Sequence, residues 1–179
     1  MDKDYNKSTI LSAQSGDQRA FETLVHQYEK PIFNVVYRML HNAEDAKDVT
    51  QIVFLKTFEN LHRYDSTRKF FSWICRIAIN EAINLQTSTR PQVKLDGNEQ
   101  TDRRNPGDTV FQDELHRGLE TALMTLSPEY RSIVVLKHIV GMSYHDIGES
   151  LEITEQTVKS RLFSARQKLR EQLQRDEYL

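Results

Sequence analysis

The last third of the chain carries two predicted helices joined by a tight turn, and this pattern limits the possible folds more than any other feature. Residues 141–151 predict a short helix, residues 152–154 a turn, and residues 155–173 a longer helix. Two helices joined in this way form a helix-turn-helix, whose second helix can enter the major groove of DNA. We therefore expect a small helical unit at this end of the chain.

A polar segment divides the chain into two parts. Residues 87–107 are rich in Ser, Thr, Asn, Asp, Gln, Gly and Pro and hold few large apolar residues, which is typical of a flexible linker. It separates a predicted domain of residues 1–86 from one of residues 108–179. Neither part shows the period-two alternation of strands. The predicted fold class is all-α, with two small helical bundles joined by a flexible linker and the helix-turn-helix in the C-terminal one.

Capping residues predict several helix boundaries. Pro31 suits the first turn of a helix that runs to about residue 40. Asn42 is a predicted N-cap, since Glu44 and Asp45 follow it in a first turn where the helix dipole favours acids. A fourth helix is expected over about residues 69–86. In the C-terminal part, Ser143 and Thr154 are predicted to cap the two helices of the helix-turn-helix.

The long C-terminal helix is predicted to have one apolar and one basic side. At about 100° per residue, Val158, Leu162, Ala165 and Leu169 share a stripe that should face the core. Residues 156–170 contain five Lys and Arg and no Asp or Glu. Such residues attract phosphates and bond base edges, although a solvated basic surface is the simpler alternative. The candidate DNA-binding residues, hereafter the basic face, are Gln156, Lys159, Ser160, Phe163, Arg166, Gln167 and Arg170.

The fourth helix and the loop before it combine aromatic, cationic and amide side chains. On the helix these types recur on one side, opposite an apolar stripe that includes Phe71 and Ile74. The combination suits stacking on bases, contact with phosphates and bonding to base edges. The alternative is that Phe70 and Trp73 are packing residues. The candidate residues, hereafter the aromatic face, are Tyr64, Arg68, Lys69, Phe70, Trp73, Arg76, Asn80 and Asn84.

The third helix carries acidic residues around a leucine. An acidic stripe with a central Leu55 can anchor a basic partner protein, whereas solvation is the usual fate of such a stripe. The candidate residues, hereafter the acidic face, are Glu44, Asp45, Asp48, Gln51 and Leu55.

Composition argues against several other classes. The net charge of −2 gives no overall nucleic-acid affinity, so local patches must supply it. Cys75 is the only cysteine, which excludes an internal disulfide and indicates a reducing compartment, so we expect a cytoplasmic protein. No apolar run approaches the roughly 20 residues of a membrane span, and none forms a signal core. The six histidines show no metal-binding spacing, and neither a phosphate-binding loop nor a nucleophile elbow is present. We expect no catalytic residue, metal, cofactor or small-molecule substrate.

Three motifs in their order resemble the extracytoplasmic-function (ECF) sigma factors of bacteria. Residues 43–54 (AEDAKDVTQIVF) are similar to region 2.2 of that family, and residues 71–80 (FSWICRIAIN) to its regions 2.3 and 2.4. Residues 126–131 (LSPEYR), followed by the helix-turn-helix, resemble region 4. The resemblance covers nearly the whole chain. Ile52 departs from it, because the family often has Glu there, and Ser164 stands where Arg is frequent.

The resemblance implies a function for each face. The acidic face would bind the β′ clamp helices of core RNA polymerase, and the β flap is a further implied contact. The aromatic face would read and open the −10 promoter element with a flipped non-template base, and the basic face would read the −35 element. An anti-sigma factor is a further implied partner. Two alternatives stay open: a helix-turn-helix regulator with an N-terminal sensing or dimerisation domain, and, less favoured, a helical enzyme.

Overall fold

The computed structural model describes residues 3–88 and 110–175, with side chains described for residues 7–88 and 118–175. All regular structure in these ranges is helical, so the all-α prediction is confirmed, and the helices form two bundles. The predicted linker lies outside the described residues, except for residues 87 and 88, which end a helix. No helix among the described residues is long and apolar enough to cross a membrane.

The N-terminal bundle consists of four helices: α1 (Lys3–Gln14), α2 (Gln18–Leu40), α3 (Ala43–Asn60) and α4 (Phe70–Ser88). A 3₁₀ turn, Leu61–Arg63, follows α3. Apolar side chains of α2, α3 and α4 are fully buried between these helices, among them Ile32, Met39, Val53 and Ile74. The helix α1 was not expected from the sequence, because its apolar pattern is weak.

The predicted helix start at Pro31 is wrong, because α2 continues through this residue. A proline inside a helix removes one backbone hydrogen bond and crowds the preceding turn. Packing compensates for this loss, since Tyr28, Ile32, Val35 and Val36 are buried on one side of α2 both before and after Pro31. The helix ends at Leu40 and is capped by His41, whose left-handed backbone (φ 54°) lets its N–H bond to the Tyr37 carbonyl at 2.7 Å.

The C-terminal bundle also consists of four helices: α5 (Val110–Thr125), α6 (Pro128–Val134), α7 (Tyr144–Leu151) and α8 (Glu155–Arg175). A π-helical turn, Val135–Ile139, extends α6.

The predicted caps are confirmed, because the Asn42 side chain accepts hydrogen bonds from the backbone N–H groups of Glu44 and Asp45. In the same way, the Ser143 hydroxyl accepts from the backbone of Asp146.

The two bundles contact each other at two places. At the first, α2 packs on α5, α6 and the π-helical turn, and at the second, α4 packs on α7. Arg131 lies at the first contact and donates hydrogen bonds to the carbonyls of Leu123, Met124 and Leu126 in its own bundle. It also donates to the Met39 carbonyl at the end of α2. The helix-turn-helix is therefore held against the bundle that carries the aromatic face.

Candidate nucleic-acid interface

The turn between α7 and α8 depends on one close approach of the backbone. A Cβ atom at Gly148 would lie 2.8 Å from the Ile153 carbonyl oxygen, which is too close for any other residue without a shift. Glu152 adopts a left-handed backbone with φ 54°, and the Ile153 N–H bonds to the Gly148 carbonyl at 3.0 Å. The Thr154 hydroxyl then accepts from the Thr157 N–H at 3.1 Å and caps α8. These local contacts fix the start of α8 against α7.

The predicted two-sided character of α8 is present in the structure. Val158, Leu162, Ala165 and Leu169 are buried against α5, α6 and α7. Every side chain of the basic face is exposed. Phe163 leaves 65% of its surface in solvent, the largest exposed fraction among the large apolar side chains of the described residues. The structure therefore presents the basic face as a continuous exposed ridge that could enter a DNA groove.

Residues from other helices border the basic face and were missed by the sequence analysis. The Lys137 and Lys159 ammonium groups lie 4.7 and 5.7 Å from the centre of the Tyr144 ring. Arg166 Nη2 lies 3.1 Å from His138 Nε2. Burial, then the charges of Arg166 and Lys137, lower the pKa of His138, which favours the neutral form of the ring. No sequence period connects these residues, because they come from three different helices.

The helical part of the aromatic face forms one side of α4. Asn80 and Asn84 are exposed, and Trp73 and Arg76 are half-buried. Lys69 immediately precedes α4 and is exposed, as is Arg68 in the loop. Arg68 lies at 4.0 Å from Asp65, which also accepts hydrogen bonds from Thr67. The amides and cations are thus placed together, as the helical spacing predicts.

The other two residues of the aromatic face are buried. Tyr64 is 7% exposed and Phe70 is 5% exposed. Their ring centres are 5.3 Å apart, and the Trp73 ring lies 5.1 Å from Tyr64 and 5.7 Å from Phe70. Burial, together with the nearby Tyr28 and Asp65, raises the pKa of Tyr64 to about 12. In this conformation Tyr64 and Phe70 support the loop, and their contact with a base requires the loop to open.

All five residues of the acidic face are exposed on α3, and Leu55 is 64% exposed. Beside them lie two apolar side chains that the sequence analysis did not select, Ile52 at 40% and Phe58 at 52% exposure. The Phe58 ring packs edge-on against Phe21, with the ring centres 5.0 Å apart. An apolar strip of Ile52, Leu55 and Phe58 therefore runs along the acidic face. The sequence signal for it was present, because α3 carries apolar residues on more than one side.

One group of possible metal ligands lies at the start of α7. Ligand atoms of His145, Asp146 and Glu149 are within 4.8 Å of one another. Lys69 Nζ is 2.7 Å from Asp146 Oδ2 and already neutralises this carboxylate. Burial raises the pKa of Asp146, but hydrogen bonds from Lys69 and Ser143 and the charge of Lys69 outweigh it, so that the net shift is downward. This group is thus better described as part of an ion pair between the bundles.

Comparison with known proteins gives two family matches. Residues 24–91 match the family described as Sigma-70 region 2, and residues 116–169 match the family described as Sigma-70, region 4. The first match contains the acidic and aromatic faces, and the second contains the basic face except Arg170.

Curated relatives and solved structures agree with these matches. The chain is 35% identical to the ECF RNA polymerase sigma factor SigW of Bacillus subtilis (strain 168), over 93% of this chain and 96% of that protein. Among solved structures, CnrH in complex with the cytosolic domain of CnrY is similar with a TM-score of 0.74 and 27% identity, over 96% of this chain and 98% of that one. The sigma factor RpoE in complex with the anti-sigma factor NepR, from Bartonella quintana, has a TM-score of 0.66 over 86% of this chain and 96% of that one. At 20% identity it supports the fold alone.

Proposed function

The chain belongs to the ECF RNA polymerase sigma factors, which direct promoter-specific transcription, and from this membership we propose how its three faces divide that function. Residues 1–86 act as region 2, residues 87–107 as the connecting linker, and residues 108–179 as region 4. The observation that carries the proposal is that the exposed polar groups of each face lie on one side of one helix, namely α3, α4 or α8, with Arg68 and Lys69 of the aromatic face directly before α4.

The basic face reads the −35 element. The exposed side of α8 has the length and charge to lie in a major groove, and Lys159, Arg166 and Arg170 supply cations along it. Ser160 and the glutamines can bond base edges, and Phe163 can contact a thymine methyl group. Lys137 and Tyr144 support this face from the neighbouring helices.

The aromatic face reads and opens the −10 element. Asn80 and Asn84 can bond base edges, and Arg68, Lys69 and Arg76 can bind phosphates. Opening of the 64–69 loop exposes the Tyr64, Phe70 and Trp73 rings, on which an unstacked non-template base can stack. Captured bases repay the few kcal/mol that unstacking costs, so this step requires no nucleotide hydrolysis.

The acidic face binds core RNA polymerase. Leu55, with Ile52 and Phe58, offers an apolar anchor, and Glu44, Asp45 and Asp48 lie nearer the start of α3, where their charge attracts a basic partner. The β′ clamp helices are the proposed partner of this face, and the β flap that of the C-terminal bundle. Because the family often has Glu at position 52, Ile52 would make an apolar contact with the polymerase where its relatives make a polar one.

Two further properties accompany this function. An anti-sigma factor is a proposed partner, as membership of the ECF sigma factors implies. The family is not a catalytic one, and we place the protein in the cytoplasm, where RNA polymerase acts. A helix-turn-helix regulator with a sensing domain is not favoured, because the N-terminal bundle matches Sigma-70 region 2.

Transcription in vitro with purified core RNA polymerase and a library of promoter sequences tests the proposal. We expect run-off transcripts from a subset of templates that share two elements, and none when the protein is omitted. Binding of the protein to core polymerase by gel filtration is the second measurement. DNA binding without core association would contradict the proposal and favour the stand-alone regulator.

A further inference from the structure

One side chain of α1 holds the start of the loop that precedes α4. Gln14 Nε2 donates two hydrogen bonds, to the carbonyls of Leu61 and Tyr64, each at 2.9 Å. Leu61 begins the 3₁₀ turn that follows α3, and Tyr64 caps the end of this turn. The two partners lie 47 and 50 positions after Gln14 in the chain. These contacts therefore connect α1 with the first residue of the aromatic face.

The position of Gln14 is fixed by the connection between α1 and α2. The Asp17 N–H bonds to the Ser12 carbonyl at 3.1 Å, and φ of Gly16 is 97°. The Gly16 N–H bonds to the Ala13 carbonyl, also at 3.1 Å, which completes the Schellman motif that ends α1. The Asp17 carboxylate then accepts from two backbone N–H groups in the first turn of α2. Gln14 thus reaches the loop from a helix end whose backbone is fully specified.

Tyr64 is held through both its backbone and its side chain. Its carbonyl accepts from Gln14, and its hydroxyl donates to the Arg68 carbonyl. Its ring packs against the rings of Phe70 and Trp73. The residue that joins the 3₁₀ turn to the loop is therefore attached to α1 on one side and to α4 on the other.

The turn that follows Tyr64 is bonded within itself. Residues 65–68 are exposed. The Arg68 N–H bonds to the Asp65 carbonyl at 3.0 Å, and the Asp65 carboxylate accepts from the backbone and the hydroxyl of Thr67. Because these bonds join residues of the turn to one another, the turn can move as a unit without breaking them.

We propose that Gln14 is a positioning residue for base capture at the −10 element. By fixing the Leu61 and Tyr64 carbonyls, it makes the loop open from residue 65 onward, so that the Tyr64 backbone stays in place while the rings become accessible. A loop whose start is already fixed loses less conformational entropy when a base binds. The inference rests on the proposed function of the aromatic face and assigns to it a residue that does not itself touch DNA.

The chemistry of a primary amide suits this role. The Gln14 NH₂ group has two N–H donors, so one side chain can serve two carbonyls. Methionine has a similar length but no donor. Glutamate has the same length but would place a carboxylate against two carbonyl oxygens. These two replacements therefore remove the hydrogen bonds while keeping most of the packing.

The test compares the full-length wild-type protein with Gln14→Met and Gln14→Glu. The control is Gln86→Met, because Gln86 Nε2 also donates to a carbonyl of a second helix in the same bundle, that of Met39 at 2.8 Å. Gln86→Met thus loses a comparable hydrogen bond away from the loop.

Each protein is assembled with core polymerase, and fluorescence anisotropy gives its affinity for two labelled single strands of about twelve nucleotides. One strand is the non-template −10 segment of a promoter selected by transcription in vitro, and the other is a scrambled strand of the same composition. The ratio of the two affinities is the −10 preference. Hydrogen–deuterium exchange of the free proteins, followed by mass spectrometry, reports the stability of each segment.

We expect Gln14→Met to lower the −10 preference about threefold to tenfold, and Gln14→Glu to lower it further. Peptides that cover residues 61–69 should exchange faster in both variants, whereas peptides from α2 should exchange as in wild type. Gln86→Met should keep the wild-type preference. Association with core polymerase should be unchanged in every variant, because the acidic face on α3 is intact.

Two outcomes overturn the role of Gln14. The first is a wild-type preference in Gln14→Met while Asn80→Ala lowers the preference, since the −10 assignment then survives without Gln14. The second is faster exchange throughout the N-terminal bundle with an equal loss of preference in Gln86→Met, which would make Gln14 a general stabilising residue. If Gln14→Met does not fold, Gln14→Asn replaces it, because its amide is one methylene too short to reach both carbonyls.

Failure of the proposed function has a different signature. If neither Asn80→Ala nor Arg76→Ala lowers the −10 preference, the assignment of α4 to the −10 element is wrong, and the inference about Gln14 fails with it.

Discussion

Leu162 and Phe163 are adjacent in the chain, yet α8 buries the first to 2% exposure and leaves 65% of the second in solvent. The pair marks the boundary between the core side of α8 and the basic face. Among the large apolar side chains of the described residues, Phe163 is the most exposed. Phe163 is therefore the residue of the basic face for which a direct test is most informative.

Phe163→Ala should weaken binding to the −35 element by about 1 kcal/mol, roughly fivefold, through loss of a thymine methyl contact. Replacement of the thymine in the promoter should remove the difference between variant and wild type. Thermal stability should not fall, because the ring is exposed. A variant that binds the −35 element normally but unfolds at a lower temperature would show that Phe163 is a packing residue.

Lys159→Ala should weaken DNA binding to a similar extent on all sequences and lower the salt dependence of binding by about one counterion. Lys168→Ala is the matched control, because nine residues place it on the opposite side of α8. Filter binding over a range of salt concentrations measures both. Association with core polymerase should be unchanged in both variants; equal loss of DNA and polymerase binding would contradict the assignment.

Asp48→Arg and Leu55→Ala should each weaken association with core polymerase, by about tenfold or more, while DNA binding by the full-length chain persists. The first introduces repulsion toward a basic partner, and the second removes the exposed apolar anchor. The control is Glu29→Arg, which makes the same change of charge at an exposed position of α2. Competition for a limiting amount of core polymerase provides the measurement. Normal association of Asp48→Arg would show that the polymerase binds elsewhere.

The His138 ring should titrate below its ordinary pKa and move upward in Arg166→Gln. Protonation would place a third positive charge beside Lys137 and Arg166, so the folded state favours the neutral ring. Because the folded-state pKa is lowered, this contribution to stability is present above about pH 6.5 and is lost as the pH falls through the folded-state value. NMR titration of the imidazole carbon protons measures the shift. An unchanged value in Arg166→Gln would mean that burial and the charge of Lys137 account for the shift without Arg166.

Gly148→Ala should destabilise the helix-turn-helix by about 1–3 kcal/mol, because the new Cβ meets the Ile153 carbonyl oxygen at 2.8 Å. Gly141→Ala is the comparison: it has open space but a φ of 79°, so its cost of about 1 kcal/mol comes from the backbone alone. Thermal denaturation followed by circular dichroism gives both values. A smaller loss in Gly148→Ala than in Gly141→Ala would mean that the turn relaxes freely.

The parts of the structure that depend on local pattern were predictable from the sequence. Asn42 and Ser143 cap their helices because a cap depends on three or four neighbouring residues. The exposure of the basic face follows from helical periodicity alone. Pro31 was misread because packing on both sides outweighs the local helix-breaking tendency. The buried positions of Tyr64 and Phe70 depend on rings from α2 and α4, which no local pattern connects.

Contacts between the bundles were beyond prediction for the same reason. Lys69 and Asp146 are 77 positions apart, and no sequence pattern around either residue predicts their contact. Both residues nevertheless belong to segments that the sequence analysis selected. Lys69 belongs to the aromatic face, and Asp146 lies within the predicted short helix of residues 141–151. The segments could be identified from the sequence, whereas their juxtaposition required the fold.

The Met39 carbonyl accepts a hydrogen bond from Arg131 across the interface and another, at 2.8 Å, from Gln86 Nε2 within its own bundle. Arg131 in turn has three acceptors on its own side. If the two bundles separate, the Met39 carbonyl keeps its hydrogen bond from Gln86. The Arg131 guanidinium keeps its three carbonyl acceptors in the C-terminal bundle. Separation of the bundles at this contact therefore leaves neither polar group unpaired, which avoids the desolvation penalty of an orphaned donor or acceptor.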